Sequence, residues 1–311
     1  MKSVLTFVFC ISFMLAASQQ TNTYYDYRWK ECEVANARFV SVVEAADSLW
    51  IRTDYYIREK KLQMKGYYKD KQCKIRHGYF TYYHSNGNIE NKGQFVDNKK
   101  QGVWLRYHYD GIRHDSVNYV NDRKRGLKLA WFQNGVMSDS STYDLEGKID
   151  VTNWFDNGQL SSTGKVYHNK ENGKWQYFHR NGRMSAEELY EVGKLISRVY
   201  YDEEGKVQSD TTNRDSKAEC TKDWEHYLAG NLEFPPNAKF VNGDQAVVVV
   251  DFSVDEEGKV GEVTVYSSFH KLFDDLAVEV VKKSPLWKPA IDHNRRIKAY
   301  RRQPMTFIQD E

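Results

Sequence analysis

The stretch Ala246–Val254, AVVVVDFSV, decides the fold of the C-terminal part of this chain. Its alternate residues from Ala246 to Val254 give one apolar face, and valines also occupy the other face, which indicates a well-buried strand. The turn residues Asp255–Gly258 and a second apolar run, Val260–Ser267, follow directly. Phe273–Pro285 then carries apolar residues at helical spacing, and its proline ends the helix. The pattern predicts a small α+β domain in which strand, turn, strand, helix and closing strand follow one another.

The segment in front of this domain changes character. Ser209–Lys217 (SDTTNRDSK) has no large apolar residue and is interpreted as a linker. Ala218–Gly230 then places Cys220, Trp224 and Leu228 at helical spacing, so a short helix ending at Gly230 is predicted. Asp255–Glu257 and Glu203-Glu204 stand beside turn glycines and are interpreted as solvated hairpin tips.

A regular period governs the middle of the chain. Six turn dyads recur, and their glycines are 24, 24, 23, 24 and 23 residues apart. The dyads are Asn86-Gly87, Asp110-Gly111, Asn134-Gly135, Asn157-Gly158, Asn181-Gly182 and Glu204-Gly205. Such dipeptides accept positive φ at both centres of a type I′ turn, so each is predicted to close a β-hairpin of that type.

Aromatic residues keep a fixed place in the same period. Four residues before each dyad glycine stand Tyr83, Tyr107, Trp131, Trp154, Phe178 and Tyr201. One hairpin cannot bury its own apolar face, so stacked copies are predicted to form an elongated antiparallel sheet. A glycine nine residues before four dyads (Gly78, Gly102, Gly126, Gly173) is interpreted as the crossing between hairpins. Tyr55–Gly66 is interpreted as a degenerate first repeat with Glu59-Lys60 in the dyad position.

The N-terminus has the composition of an export signal. One lysine precedes the apolar run Val4–Ala17 and the small residues Ala16–Ser18, which is typical of a cleaved signal peptide over residues 1–18. An uncleaved anchor is the alternative. Residues 19–50 are interpreted as a cap for the repeats, with Glu44–Leu49 as one possible helical turn.

The odd set Cys32, Cys73 and Cys220 permits at most one disulfide, and its pairing stays open.

The repeat blocks G-V-W-L-R-Y at Gly102–Tyr107 and G-K-W-Q-Y-F-H-R-N-G at Gly173–Gly182 resemble MORN repeats, in the bacterial variant found in exported proteins. The resemblance covers about 150 residues. We interpret residues 51–208 as a MORN-like array of β-hairpins, in which the aromatic stripe serves packing between repeats rather than a ligand groove.

Residues 218–311 resemble the C-terminal domain of the TonB family. The resemblance rests on an ordered set of fragments: EHYLAGNLEFPPNA (225–238), VVVVDFSVDEEGKV (247–260), PLWKPA (285–290) and QPMTF (303–307). Energy-transducing members also have a proline-rich spacer, but all five prolines here lie at or after Pro235. The resemblance therefore implies the C-terminal domain without the part that couples it to a proton-driven motor in the membrane.

The resemblance further implies that the last strand, around Ile297–Phe307, is an open edge that accepts an extended peptide. The predicted partner-binding residues are Arg295, Arg296, Ile297, Tyr300, Arg301, Arg302 and Phe307. Two roles stay open for the arginines, which could steer an acidic peptide or protect the edge from aggregation.

The chain shows no pattern typical of catalysis. Its formal net charge of +2 does not favour a nucleic-acid partner. No zinc, nucleophile-elbow, phosphate-loop or dinucleotide motif occurs, so no catalytic residue, cofactor or metal ligand is predicted.

These observations predict a non-catalytic, exported protein of the periplasm or cell envelope. Its C-terminal domain would recognise a protein partner, for instance a peptide of an outer-membrane receptor, by strand addition. One alternative is a component of TonB-type energy-coupled transport with a retained N-terminal anchor. A second alternative is a lipid- or glycan-binding surface on the repeat aromatics Trp104, Trp131 and Trp175.

Overall fold

The structure is a computed structural model that describes residues 21–26, 28–236, 238 and 246–308. The predicted signal peptide, residues 1–18, lies outside the described residues. No helix within the described ranges is long and apolar enough to cross a bilayer.

Residues 21–208 form one antiparallel sheet of sixteen strands, in which every strand pairs with its neighbours in the chain. The strands are β1 (Thr21–Tyr25), β2 (Phe39–Ala46), β3 (Leu49–Tyr56), β4 (Lys61–Tyr68), β5 (Arg76–Tyr83), β6 (Ile89–Val96), β7 (Lys99–Tyr107), β8 (Arg113–Val120), β9 (Arg123–Trp131), β10 (Met137–Tyr143), β11 (Lys148–Trp154), β12 (Leu160–Tyr167), β13 (Lys170–Phe178), β14 (Met184–Glu191), β15 (Lys194–Tyr201) and β16 (Val207–Gln208). We call this sheet the array. The predicted antiparallel hairpin array is confirmed.

The dyad loops close hairpins, but the predicted type I′ turn is wrong. Only the glycine of each dyad has positive φ, for example 84° at Gly158. In that loop the N–H of Gly158 donates to the carbonyl of Phe155 at 2.9 Å, and Phe155 N–H donates to Gln159 at 2.8 Å. This is a type I turn followed by a left-handed glycine. Asn157 favours it because its Oδ1 accepts the N–H of Gln159 at 3.0 Å, an Asx turn.

The two-residue turns with positive φ at both centres lie on the other edge of the array. They are Asp97-Asn98, Asn121-Asp122, His168-Asn169 and Val192-Gly193. One edge of the array therefore carries five-residue loops, here called the dyad edge, and the other carries mainly tight type I′ turns.

The glycines interpreted as crossings between hairpins lie inside strands, so that interpretation is wrong. Gly102 has φ 69° within β7, and the pairing of β6 with β7 shifts register there, which makes it a bulge. Two residues later the ring of Trp104 covers Gly93 of β6. A Cβ on Gly93 would lie 2.3 Å from Trp104 Cδ2. Gly164 and Trp175 repeat this arrangement, with a Cβ at 2.2 Å from the ring.

The N-terminal strands continue the same sheet. β1 pairs with β2, and β2 pairs with β3. The helical turn considered for Glu44–Leu49 is wrong, because Asp47 adopts φ 50° in a tight turn between two paired strands. The degenerate first repeat is a hairpin of β3 and β4, with Lys60 at φ 53° in place of glycine.

The C-terminal domain has the α+β architecture predicted from the sequence. Its elements are β17 (Glu219–Cys220), α1 (Trp224–Asn231), β18 (Ala246–Val254), β19 (Val260–Ser267), α2 (Lys271–Lys282), β20 (Trp287–Lys288), β21 (Ala290–Asp292), β22 (Arg295–Ile297) and β23 (Ala299–Phe307). β18 is the centre of a three-stranded sheet ordered β19-β18-β23. Phe273, Ala277 and Val281 of α2 are buried in one core with alternate residues of β18.

One detail differs from the sequence-based expectations. The helix predicted over Ala218–Gly230 begins only at Trp224, since Cys220 lies in β17 and pairs with Trp287 of β20. Cys32, Cys73 and Cys220 are all free thiols.

The turn glycine Gly258 has φ 82°, and its carbonyl accepts the N–H of Trp287 at 2.9 Å, which ties the turn to β20.

Candidate functional site

The outer edge of β23 is open within the described part of the chain. β23 pairs with β18 over nine unbroken residue pairs, from Ala246–Phe307 to Val254–Ala299, and no other described backbone pairs with it. Pro304 lies in the middle of this ladder and has no N–H. It fits only where its nitrogen points away from β18. Since backbone groups alternate sides along a strand, Tyr300, Arg302 and Thr306 also direct their N–H and C=O groups to the open edge.

A cleft of 680 Å³ lies beside the first half of this edge. One wall is the start of β23, Ala299–Arg302, and the other is the segment Asp215–Ala218, with β21 at the end. The segment is held in place by β21. Ser216 and Ile291 exchange two backbone hydrogen bonds of 2.8 and 2.9 Å. We call Asp215–Ala218 the wall segment.

Four of the seven predicted site residues line this cleft: Ile297, Tyr300, Arg301 and Arg302. Tyr300 is 58% exposed. Arg301 lies over the ring of Trp287, 4.9 Å from its centroid. Arg302 forms two hydrogen bonds with Asp251 of β18, at 2.7 and 2.8 Å, and lies over the ring of Tyr266. These hydrogen bonds, which Arg302 donates to Asp251, raise the pKa of Arg302.

The other three predicted residues lie elsewhere. Phe307 is 2% exposed and packs against Phe273 in the core. Arg296 is exposed at the middle of β22. Arg295 is 6% exposed and contacts the array, where it donates to the carbonyls of Ser161 and Phe178. The structure therefore assigns Arg295 to a contact within the chain.

The hairpin of β21 and β22 inserts its tip into the array. The tip residues His293 and Asn294 have φ 48° and 62°, a type I′ turn. The ring of His293 stacks on Tyr177 of β13 with centroids 3.6 Å apart, and its Nδ1 lies 2.9 Å from Oε2 of Glu188. Asn294 donates to the carbonyl of Tyr201 at 3.1 Å. We call this hairpin the plug.

Ion pairs surround the plug. Lys298 contacts Asp156 of the array and Glu262 of β19, and Arg180 joins Asp156 to Glu256. Burial would raise the pKa of Asp156, but hydrogen bonds from Lys298 and Arg180 lower it overall. Burial would lower the pKa of Lys298, yet its two carboxylate partners raise it. The interpretation of Glu256 as a solvated tip is wrong, because its side chain pairs with the array and the residue is 8% exposed.

A second contact joins the C-terminal domain to the start of the array. Arg38 donates to the carbonyl of Phe269 at 3.0 Å and forms a salt bridge of 2.9 Å with Glu59. Ser268 donates to Glu59 at 2.9 Å, and Arg58 lies over the ring of Phe269. The C-terminal domain therefore contacts the array at two separate places. One is the β3–β4 loop, and the other comprises the loops that follow β11 and β13 together with facing residues of β13, β14 and β15.

The repeat aromatics considered as a ligand surface are partly internal. Trp104 and Trp175 are 5% and 6% exposed. Their indole N–H groups donate to Gln94 and Lys165 of the adjacent strand, at 3.1 and 2.9 Å. These two rings serve packing between repeats.

Sequence reasoning did not find the wall segment or the plug contacts. Asp215 and Ser216 belong to the segment interpreted as a linker, and no role was predicted for His293. The His-Asn pair at 293–294 was a turn signal, but nothing local to it indicates what the turn contacts.

The fold and site define a β-hairpin repeat protein with an open-edged α+β domain at its C-terminal end. Residues 230–308 of that domain match the family described as Gram-negative bacterial TonB protein C-terminal. The match confirms the resemblance found in the sequence, and it covers roughly the last quarter of the chain. It does not extend to the array, whose assignment to MORN repeats stays a prediction. No curated protein matches the chain by sequence.

Proposed function

We propose that this chain is a non-catalytic cell-envelope protein that binds an extended segment of a protein partner by strand addition to β23. The open edge beside the 680 Å³ cleft carries this proposal. Main-chain hydrogen bonds would supply affinity, and the cleft would accept alternate side chains. The array, which we assign to the MORN-like class, would orient the domain through its two contacts.

The arginine contacts favour edge protection over steering of an acidic peptide. Asp251 pairs with Arg302, and Arg301 is stacked on Trp287. Charged side chains on an edge strand hinder pairing with other copies of the chain. We infer that specificity comes from the cleft wall and from Tyr300 rather than from net positive charge.

The test separates backbone recognition from side-chain recognition at one position. Arg302→Pro removes the outward N–H together with the side chain, whereas Arg302→Ala removes only the side chain. Recovery of a partner from envelope extract by the full chain should be lost with Arg302→Pro and kept with Arg302→Ala. Thermal unfolding of both variants serves as the folding control.

Two results would count against strand addition. Undiminished recovery with Arg302→Pro would mean that the edge is not used. Equal loss with both variants would mean that the guanidinium, not the backbone, makes the contact.

A further inference from the structure

The plug has two sides with different neighbours. Its tip, His293-Asn294, contacts the array. Its first strand, β21, is hydrogen-bonded to the wall segment of the cleft. The backbone N–H of His293 itself donates to Asp215 Oδ1 at 2.8 Å. One hairpin therefore contacts both the array and the wall of the cleft, so a movement of the tip would also move the wall.

The groups of the array and the plug that surround the His293 ring, here called its seat, are mainly acidic. On β14, Glu188 is fully buried, and it also accepts hydrogen bonds from Tyr190 and from Arg198 at 2.6 Å. On the plug itself, Asp292 lies 3.6 Å from Nε2 of His293. The titratable and charged groups around the ring are Tyr177 and Glu171 on β13, Glu188 and Tyr190 on β14, Arg198 on β15, Asp215 in the wall segment, and Asp292 and Arg295 on the plug.

This seat favours the doubly protonated ring, because both ring nitrogens face a carboxylate. Burial would lower the pKa of His293, but the close contact with Glu188 and the nearby carboxylates outweigh burial and raise the pKa. Burial would likewise raise the pKa of Glu188, yet its contacts with His293, Tyr190 and Arg198 lower it. A raised histidine pKa means that the contact is complete below the ordinary value of about 6.5 and is lost as the pH rises through the value in the folded protein.

We propose that the plug is a pH-dependent latch between the array and the C-terminal domain. With His293 protonated, the tip stays seated on Glu188 and Tyr177 and fixes the wall of the cleft. With His293 neutral, the tip leaves its seat and the wall segment moves with it. The latch goes beyond the proposed function, since it requires no bound peptide.

The chain contains a matched control for this histidine. His168-Asn169 forms the same type I′ turn, with φ 49° and 62°, at the opposite edge of the array. Asn tolerates positive φ, so His293→Asn and His168→Asn should both preserve their turns. Only the first substitution removes the cation from the latch.

The experiment measures the distance between the array and the C-terminal domain. Spin labels are placed at the exposed positions Lys174 on β13 and Glu225 on α1, in the full chain with its native cysteines replaced by serine. At pH 6 we expect one narrow distance distribution. At pH 8.5 the population with a longer distance should rise by about tenfold, as expected when a buried carboxylate loses its cationic partner.

The variants decide the origin of any change. His293→Asn should show the released population at both pH values, and His168→Asn should behave as the unsubstituted chain. A distribution that stays narrow from pH 6 to 8.5 in the unsubstituted chain would overturn the latch. The same would follow if His293→Asn kept the full pH response.

Discussion

The array and the C-terminal domain achieve burial in opposite ways. In the array each strand contacts its chain neighbours, and the buried residues form separate clusters, one around Phe80 and Trp104 and another around Trp175 and Tyr200. In the C-terminal domain a single core draws on residues from Ala218 to Phe307. Stability in a repeat structure is approximately a sum of neighbour contributions, whereas a single core is lost as a whole. One chain therefore combines a part whose segments can unfold separately with a part that unfolds as a unit.

The largest expected effect comes from removing a ring in the single core. Phe252 of β18 is 1% exposed and packs against Trp224 and Trp287. Phe252→Ala should lower the free energy of unfolding of the C-terminal domain by about 3–5 kcal/mol. Hydrogen exchange in increasing denaturant should show protection lost together across α1, β18, β19, α2 and β23.

The control for this change is Tyr266→Ala on β19, where the side chain is 43% exposed and the cost should be small. Strands β5–β8 of the array should keep their protection in both variants. An equal loss of protection in those strands would show that the array depends on the C-terminal core, and the comparison would fail.

A smaller effect is expected from one added methyl group in the array. Gly164 lies under the ring of Trp175, which is held by its hydrogen bond to Lys165 and cannot move away easily. Gly164→Ala should therefore destabilise the array by about 1–3 kcal/mol through overpacking. Because array contacts are local, the faster hydrogen exchange should be confined to β11–β15.

Gly230 on α1 offers the matched control. A Cβ there meets nothing within 4 Å, and its φ is not positive. Gly230→Ala should stabilise the chain slightly, by about 0.4–1 kcal/mol. If both alanine substitutions had the same effect, the close contact between ring and glycine would not be the reason why alanine is unfavourable at position 164.

The smallest effect concerns a hydrogen bond between neighbouring dyad loops. Asn181 closes its own turn with Oδ1 and donates Nδ2–H to Glu203 of the next loop at 3.0 Å. Asn181→Asp keeps the acceptor and removes the donor, so it should cost about 0.5–1.5 kcal/mol in denaturant titrations.

Asn213 is the comparison residue, since its Oδ1 accepts from Asp215 N–H in a similar local turn outside the array. Asn213→Asp should leave the midpoint of unfolding unchanged. A cost as large as that at Asn181 would assign the effect to the turn and not to the contact between repeats.

The sequence predicted much of this fold because the deciding signals are local. The bounds of β18 and β19 follow from alternation beside a turn glycine, and the hairpins follow from the 24-residue period. The type of turn at the dyads was not predicted, because Asn-Gly fits both a type I′ turn and a type I turn with a left-handed glycine. The hydrogen bond from Gln159 N–H to Asn157 Oδ1 favours the type I turn with a left-handed glycine. That bond depends on the direction of the Asn157 side chain, which the sequence does not show.

The candidate site was predictable only in part. The edge strand could be inferred from the family resemblance, and four of its seven predicted residues line one cleft. The cleft itself depends on Ser216 pairing with Ile291, which are 75 residues apart in a polar linker and a short strand. The role of Arg295 was likewise hidden, because an arginine near an edge strand has the same local sequence whether it meets solvent or a neighbouring sheet.

The C-terminal domain touches the array at two places. Both contacts can form only if the number of repeats between them stays the same. Between Glu59 and Arg180 the chain lays down a set number of strands about 4.8 Å apart. Deleting one period would leave every remaining hairpin intact yet shorten the span by two strands, about 10 Å. Such a deletion would prevent the C-terminal domain from making both contacts at once. This architecture should therefore tolerate substitutions within a hairpin far better than a change in how many there are.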